Sequence, residues 1–234
     1  MGTRRRFRHA LLALASFAVL AGLGAGPLAA QKSLVFERLD ADIVVRVNGD
    51  VVVRETLRPH FTGSWNGITR VLSLEHTTAA SKRARLDVDF QSATDGQGHT
   101  LRHEIEHPDR WHVRFKVWVP GAENATRTVV LTYVVHNGLR FFERGSPEGA
   151  LDELYWQVTG TEWEVPIRAA SAIVVLPKGA AVKQAAAYVG ASGSGAQAPV
   201  EMDGGTVRVA VAGPFPPGQG LTVAVGWPAG SVAR

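Results

Sequence analysis

The sequence has no cysteine among its 234 residues. Disulfide bonds are therefore excluded, even in a compartment where they form readily, and no lipid can be attached to a cysteine after export. The fold must be held together by burial of side chains. A chain of roughly 200 residues is expected to bury about 70% of its unfolded surface, which is enough for one hydrophobic core.

The sequence also lacks a basic excess outside its first residues. The net charge of +4 comes from 25 basic and 21 acidic residues, and the whole excess equals the four arginines Arg4, Arg5, Arg6 and Arg8. The remainder of the chain is therefore neutral. Binding of nucleic acid depends on a basic field around the phosphates, so we exclude nucleic acid as a partner.

Long apolar runs are missing except near the start of the chain. After the basic residues, Ala10 to Gly26 carries no charge, and Pro27 and the small residues Ala29 and Ala30 follow. At about 17 residues this stretch is short for a membrane-spanning helix, which needs about 20. The pattern predicts a signal peptide over residues 1–30 and an extracytoplasmic domain that is periplasmic, secreted or on the outer face of the inner membrane. The alternative is an uncleaved segment that keeps the domain associated with the membrane.

Amphipathic helical patterns with capping signals are absent after residue 30, whereas strand patterns are frequent. The run Ala41 to Leu57 contains Asn48 and Gly49 between two alternating segments, which predicts a β-hairpin with a tight primed turn. Trp111 to Val119 alternates strictly between apolar and polar residues, as a half-buried strand does. We therefore expect an all-β fold after an N-terminal signal helix. Residues 31–234 are predicted to form one β-sandwich domain of immunoglobulin-like or related two-sheet architecture.

The segment His103 to His107 reads His-Glu-Ile-Glu-His, which matches the zinc-protease motif H-E-x-x-H. That chemistry requires a helix, which places both histidines on one face. Here Pro108 and Asp109 follow at once, which is typical of a turn, and strand alternation begins at Trp111. We interpret the segment as a polar edge strand and predict no metal site. A metal-dependent hydrolase using His103 and His107 remains an alternative.

The densest group of aromatic and acidic residues lies between Leu151 and Ile167. Acids beside aromatic rings are typical of carbohydrate or peptide sites, because rings stack on sugars and carboxylates accept hydrogen bonds. One alternative is a glycoside-acting enzyme that uses Asp152 and Glu153. Another is a structural role in which Leu154, Trp156 and Val158 face the core. The candidate binding residues are Asp152, Glu153, Tyr155, Trp156 and Trp163; no catalytic residue is predicted.

The residues Asp152-Glu-Leu-Tyr-Trp-Gln-Val-Thr-Gly160, with Trp163 and Pro166-Ile167 downstream, are similar to those of a known family. The chain resembles the extracytoplasmic N-terminal domain of domain-of-unknown-function family 2207, a set of predicted bacterial membrane proteins. Supporting stretches are Asp42 to Leu57, Phe61 to Arg70, Leu131 to Phe142 and Leu221 to Gly230, so the resemblance covers nearly the whole chain after the signal segment. The resemblance implies transmembrane helices after this domain. No apolar span follows Gly230 here, so a stand-alone exported form or a shortened chain is expected.

These observations predict an exported, non-enzymatic domain for recognition or scaffolding at the bacterial envelope. Its partner is expected to be an envelope protein or a glycan, and no cofactor is expected. The alternatives are an envelope hydrolase of either type described above and an ectodomain subunit of a membrane complex. Membrane association would then arise through the uncleaved signal segment or through a partner subunit.

Overall fold

The computed structural model describes residues 32–233, and the predicted signal segment lies outside the described residues. All regular structure in residues 32–233 is β-strand, which confirms the all-β prediction. No helix in this range is long and apolar enough to cross a membrane. The strands are β1 Ser33–Val45, β2 Val51–Ser64, β3 Gly67–Ser73, β4 Glu75–Thr77, β5 Arg83–Arg85, β6 Asp87–Asp95, β7 His103–Asp109, β8 His112–Trp118, β9 Glu123–Thr126, β10 Val129–His136, β11 Leu139–Phe142, β12 Leu151–Gln157, β13 Ile167–Val175, β14 Gln184–Gly190, β15 Gln197–Ala198, β16 Glu201–Asp203, β17 Thr206–Phe215 and β18 Gly220–Pro228.

The hairpin predicted from Asn48 and Gly49 is formed by β1 and β2, which pair from Val45↔Val51 outward. The type of turn was predicted wrongly. A primed turn centred on Asn48 and Gly49 needs positive φ at both residues (type I′) or at the first (type II′), but only Gly49, the second, has one, at 85°. The N–H of Gly49 donates to the carbonyl of Arg46 at 3.0 Å, and the N–H of Arg46 donates to the carbonyl of Asp50 at 2.8 Å. Residues 47–49 therefore form a three-residue connection.

The large sheet forms one layer of the molecule. Its strand order is β16-β17-β13-β1-β2-β10-β6, with β9 paired to one end of β2. Most neighbours are antiparallel, but β1 and β13 run parallel. Alternation along β1 buries Ala41, Ile43 and Val45 on one face, while Asp42 and Val44 are exposed on the other. One face of this sheet therefore supplies core residues and the other faces solvent.

The second layer consists of smaller sheets that cover the buried face. A five-stranded sheet has the order β11-β12-β18-β14-β15, a three-stranded sheet has the order β3-β8-β7, and β4 pairs with β5. Tyr133 of the large sheet contacts Phe115 of the three-stranded sheet and Trp156 of the five-stranded sheet, with ring centroids 5.7 and 6.4 Å apart. The buried residues of both layers form a single hydrophobic cluster. This arrangement is a sandwich-like packing of sheets.

A buried ion pair crosses between the layers. Glu55 of β2 is fully buried and Arg70 of β3 is 1% exposed. Arg70 donates two hydrogen bonds to the two carboxylate oxygens of Glu55, from Nη2 at 2.7 Å and from Nε at 2.9 Å. The buried hydroxyl of Tyr133 donates to Glu55 Oε1 at 2.8 Å. Both charged groups are thus compensated where no water reaches them.

We expect the substitution Glu55→Gln to lower the free energy of unfolding by about 3–5 kcal/mol, because it leaves the buried Arg70 charge without a counter-charge. The matched control is Asp42→Asn on the exposed face, where the carboxylate lies 3.5 Å from Arg54 and both side chains are more than half exposed. That exposed pair should contribute less than about 1 kcal/mol. Urea unfolding of the two variants measures the difference. Equal losses would contradict the assignment of the buried pair.

Candidate functional site

The candidate binding residues of β12 divide between two faces of the strand. Leu154 and Trp156 are buried, whereas Tyr155 is 37% exposed and Glu153 is only partly buried. Alternation along an extended strand explains the division, because successive side chains point to opposite faces. Val158, after the strand, is fully buried. Leu154, Trp156 and Val158 therefore face the core, as the structural interpretation has it, while Tyr155 lies on the exposed side of β12.

Asp152 is a fully buried anchor. It is 0% exposed, and its carboxylate accepts a hydrogen bond from the backbone N–H of Gly230 at 3.1 Å. Asp152 therefore holds the turn after β18 against β12. Glu153 follows it on the opposite face of the strand. The two carboxylates do not flank a common cleft, so the geometry that a pair of glycosidase carboxylates needs is not formed.

Trp163 and Trp156 both belong to the core. Trp163 is 7% exposed, its ring centroid lies 4.3 Å from that of Phe36, and its indole N–H donates to the carbonyl of Thr159 at 2.8 Å. Trp156 is 6% exposed, and its indole N–H has no acceptor among residues 32–233. Both tryptophans are therefore almost fully covered by the protein.

Arg140 of β11 organises the exposed side of β12. Its Nη1 donates to Glu153 Oε1 at 3.1 Å, and its Nε donates to the carbonyl of Thr77 at 2.7 Å. The guanidinium carbon lies 4.3 Å from the ring centroid of Tyr155, which is a cation–π distance. The register of β11 against β12 pairs Arg140 with Glu153 directly. These contacts hold Tyr155 beside a cation that is also bound to Glu153 and to the carbonyl of Thr77.

Tyr155 lies at a cleft between the five-stranded and three-stranded sheets. The cleft has a volume of about 700 Å³, within the range of ligand pockets. One wall is the edge of β3, the other is the end of β12, and Thr161 and Glu162 lie in the loop beyond β12. The candidate site is this cleft, which we call the β3–β12 cleft.

His76 of β4 lines the same cleft and is 8% exposed. Its pKa is lowered from the ordinary value of 6.5, first because burial disfavours the imidazolium and second because the Arg140 cation repels it. His76 is therefore neutral at neutral pH, when its ring nitrogens can donate one hydrogen bond and accept another.

The segment that matches H-E-x-x-H forms β7, an edge strand. Successive residues of a strand point to opposite faces, so His103 and Glu104 diverge. Glu106 accepts hydrogen bonds from Arg114 at 3.1 Å and from Lys116, and these contacts lower its pKa. No group of three or more potential metal ligands occurs in residues 32–233. The helical arrangement of a zinc protease is not formed here.

Arg140, His76 and the β3 edge were not recognised as parts of a site from the sequence. Arg140 lies inside Leu131 to Phe142, which contributed only to the family resemblance. A cation opposite Glu153 was recognisable only once the pairing of β11 with β12 was known. His76 has no neighbouring motif in the sequence, because its burial and its proximity to Arg140 arise from tertiary packing.

A family model described as predicted membrane protein (DUF2207) N-terminal domain matches residues 36–227. A search of curated proteins gives no match.

Among solved structures, native yeast leukotriene A4 hydrolase matches with 12% identity and a TM-score of 0.50, over 82% of this chain and 29% of that one. The same yeast enzyme in complex with bestatin matches with 11% identity and a TM-score of 0.50, over 82% and 28%. An M1 zinc metallopeptidase from Deinococcus radiodurans matches with 15% identity and a TM-score of 0.42, over 83% and 42%. This chain thus spans less than a third of the yeast enzyme. At these identities the similarity concerns the fold alone.

We expect Arg140→Met to raise the pKa of His76 towards its ordinary value of 6.5, because a repelling cation is removed while burial remains. Arg140→Lys is the matched control, since it keeps a cation at the same position. Titration of the imidazole carbon-bound protons by NMR measures both values. Identical His76 pKa values in the two variants would contradict the assigned role of Arg140.

The lowered pKa of His76 also determines how the stability of the fold changes with pH. An imidazole with a lowered pKa in the folded state takes up its proton more readily when unfolded. Its contribution to stability is therefore present above pH 6.5 and is lost as the pH falls through the folded pKa.

Proposed function

Since the chain belongs to the family of predicted membrane proteins that share the DUF2207 N-terminal domain, we propose that it is a non-enzymatic recognition domain on the extracytoplasmic side of a membrane. Its binding site is the β3–β12 cleft. The observation that carries the proposal is the stack of Tyr155 and Arg140 at this cleft, where an exposed ring is held in place by an immobilised cation.

Recognition is favoured over catalysis because Arg140, Arg70 and Glu75, which line the cleft, already have charged partners. Arg140 is bound to Glu153, and the buried Arg70 is bound to Glu55. Glu75 is bound to Arg83 at 2.5 Å. Catalytic acids and bases need pKa values matched to proton transfer in a substrate pose. Paired charges of this kind instead hold a fixed surface that presents polar groups to a partner.

The enzymatic alternatives have no supporting geometry. Asp152 is buried and Glu153 points the other way, and His103 and Glu104 lie on opposite faces of an edge strand. The yeast leukotriene A4 hydrolase has a similar fold. That similarity is confined to the fold and to a minor part of the yeast enzyme, so it gives no support to an enzymatic role here.

The lining of the cleft suits a polar ligand with an apolar part. Tyr155 offers a partly exposed ring, while Gln157, Thr161 and Glu162 supply amide, hydroxyl and carboxylate groups. Rings of this kind stack on sugars and pack against peptide side chains. The partner class is therefore an envelope protein or a glycan.

The extracytoplasmic side is supported by the N-terminal sequence. Arg4, Arg5, Arg6 and Arg8 precede the uncharged stretch Ala10 to Gly26, which is the organisation of a signal peptide. The family description as a predicted membrane protein agrees with association at the membrane.

We expect Tyr155→Ala to weaken binding of the partner about tenfold or more, because exposed aromatic anchors supply much of the affinity of binding surfaces. The measurement is capture of partners from envelope extract, together with a glycan array, by the wild type and the variant. Trp118→Ala is the control, since Trp118 is a partly buried ring stacked under Arg102 and does not line the cleft. Binding that survives Tyr155→Ala and is lost with Trp118→Ala would refute the cleft as the site.

Export of the domain can be tested through its N-terminal segment. Residues 1–31 fused to alkaline phosphatase, an enzyme active only outside the cytoplasm, should give phosphatase activity in a bacterial host. Replacing Arg4, Arg5, Arg6 and Arg8 with serine should reduce that activity, because the basic region of a signal peptide is removed. An inactive fusion that accumulates in the cytoplasm would contradict export.

A further inference from the structure

Two strand edges without partners face each other across the β3–β12 cleft. β3 is the last strand of the three-stranded sheet, so in residues 32–233 it pairs with β8 alone. On the other wall, the pairing of β12 with β11 ends at Leu139↔Leu154. From Tyr155 to Gln157, β12 is paired only with β18 on its far side. Backbone at both walls therefore lacks a neighbouring strand.

The backbone groups of β3 are directed into the cleft at alternate residues. The N–H of Leu74 donates to the carbonyl of Trp111 at 2.7 Å, and the N–H of Val119 donates to the carbonyl of Asn66 at 3.0 Å. In an antiparallel ladder the residues that bond to one neighbour alternate with residues that point away. The even-numbered residues of β3 therefore bond to β8, and the backbone N–H groups of Val71 and Ser73, two residues that line the cleft, point away from β8. The carbonyl of Val71 already accepts a hydrogen bond from Nη1 of Arg70 at 3.1 Å.

The β3 edge lacks the exposed charges that the edge strands β6 and β7 carry. β7 carries His103, Glu104, Glu106, His107 and Asp109, and β6 carries Asp87, Asp89 and Asp95. Such charges are the usual protection of an edge against pairing with another chain. The only charged residue of β3 is Arg70, which is 1% exposed and bound to Glu55. This edge is thus open to strand addition.

The cleft has one closed and one open end. At the closed end, Nε of Arg140 donates to the carbonyl of Thr77 at 2.7 Å, which joins the two walls. At the other end the lining is formed by Thr161, Glu162 and Ser192. Glu162 is exposed to solvent. Its carboxylate therefore places negative charge at the open end of the cleft.

Apolar side chains line the inner part of the cleft. Leu72, Leu86 and Trp156 border it and are 5–6% exposed. A strand lying between the two walls would direct every second side chain towards these residues and the others towards solvent. Its inward side chains would be apolar, and a basic side chain would suit Glu162.

We propose that the β3–β12 cleft binds an extended peptide segment of a partner protein, which adds as a strand to the free edge of β3. The segment has alternating apolar residues and a basic residue near Glu162. The inference rests on the proposed function and names its partner class. Main-chain hydrogen bonds to Val71 and its neighbours supply affinity, and the apolar lining selects the side chains.

The test uses Val71→Pro, with Val71→Thr as the matched control. Proline removes the N–H that points into the cleft and leaves the bonds to β8, because residue 71 does not donate to β8; proline is tolerated at such edge positions. Threonine keeps both the N–H and the β-branched shape. A phage-displayed library of linear peptides about ten residues long, enough for one strand of about five to six residues with flanks, is panned against the full chain. Melting temperatures of the two variants test whether both are folded.

We expect enriched peptides with alternating apolar residues and a basic residue, whose affinity falls about tenfold or more with Val71→Pro and is unchanged with Val71→Thr. A library without enrichment, or selected peptides that bind Val71→Pro normally, overturns strand addition. If binding of a glycan or protein then still depends on Tyr155 but not on the N–H of residue 71, the cleft is a recognition site of another kind. If binding depends on neither residue, the proposed function fails as well.

Discussion

The ion pair between Glu55 and Arg70 is the constraint on which the arrangement of the two layers depends. Bringing a carboxylate and a guanidinium out of water costs several kcal/mol for each ion, and only good geometry compensates for it. Here two parallel hydrogen bonds and the hydroxyl of Tyr133 meet that condition. Because the bonds are directional, β3 is held in one position over β2, which a purely apolar contact would not specify.

The β3–β12 cleft is a consequence of that fixed position. Nη1 of Arg70 donates to the carbonyl of Val71 at 3.1 Å, so the buried guanidinium also braces the strand edge that borders the cleft. On the opposite side, Gly160 has φ of 72°, and a Cβ there would lie 2.6 Å from Arg70 Nη1. The chain after β12 therefore approaches the guanidinium closely only because residue 160 is glycine. Core packing and the shape of the candidate site are thus set by the same side chain.

The sequence predicted the parts of the structure that depend on local periodicity. Alternation in Trp111 to Val119 and the hairpin at Asn48 and Gly49 correspond to observed strands, because a half-buried strand needs only a period of two. The pairing of Glu55 with Arg70 was not predictable from the sequence. The two residues lie in different strands, and their contact arises only when the two layers pack together. The division of Tyr155 and Trp156 between the exposed and the buried side of β12 has a simpler reason. Composition marked the segment as a binding surface, whereas the alternation already visible in the sequence separates its residues onto two faces.

The same alternation explains why similar strands have opposite properties in this molecule. In β7 it spreads His103 and Glu104 over two faces and leaves a charged edge, which resists pairing with another strand. In β3 it turns Arg70 inward to Glu55, so the charge that would otherwise protect the edge is used in the core. The exposed backbone of β3 is then left beside apolar side chains rather than acids. Burial of one arginine therefore stabilises the contact between the layers and leaves this edge able to receive another strand.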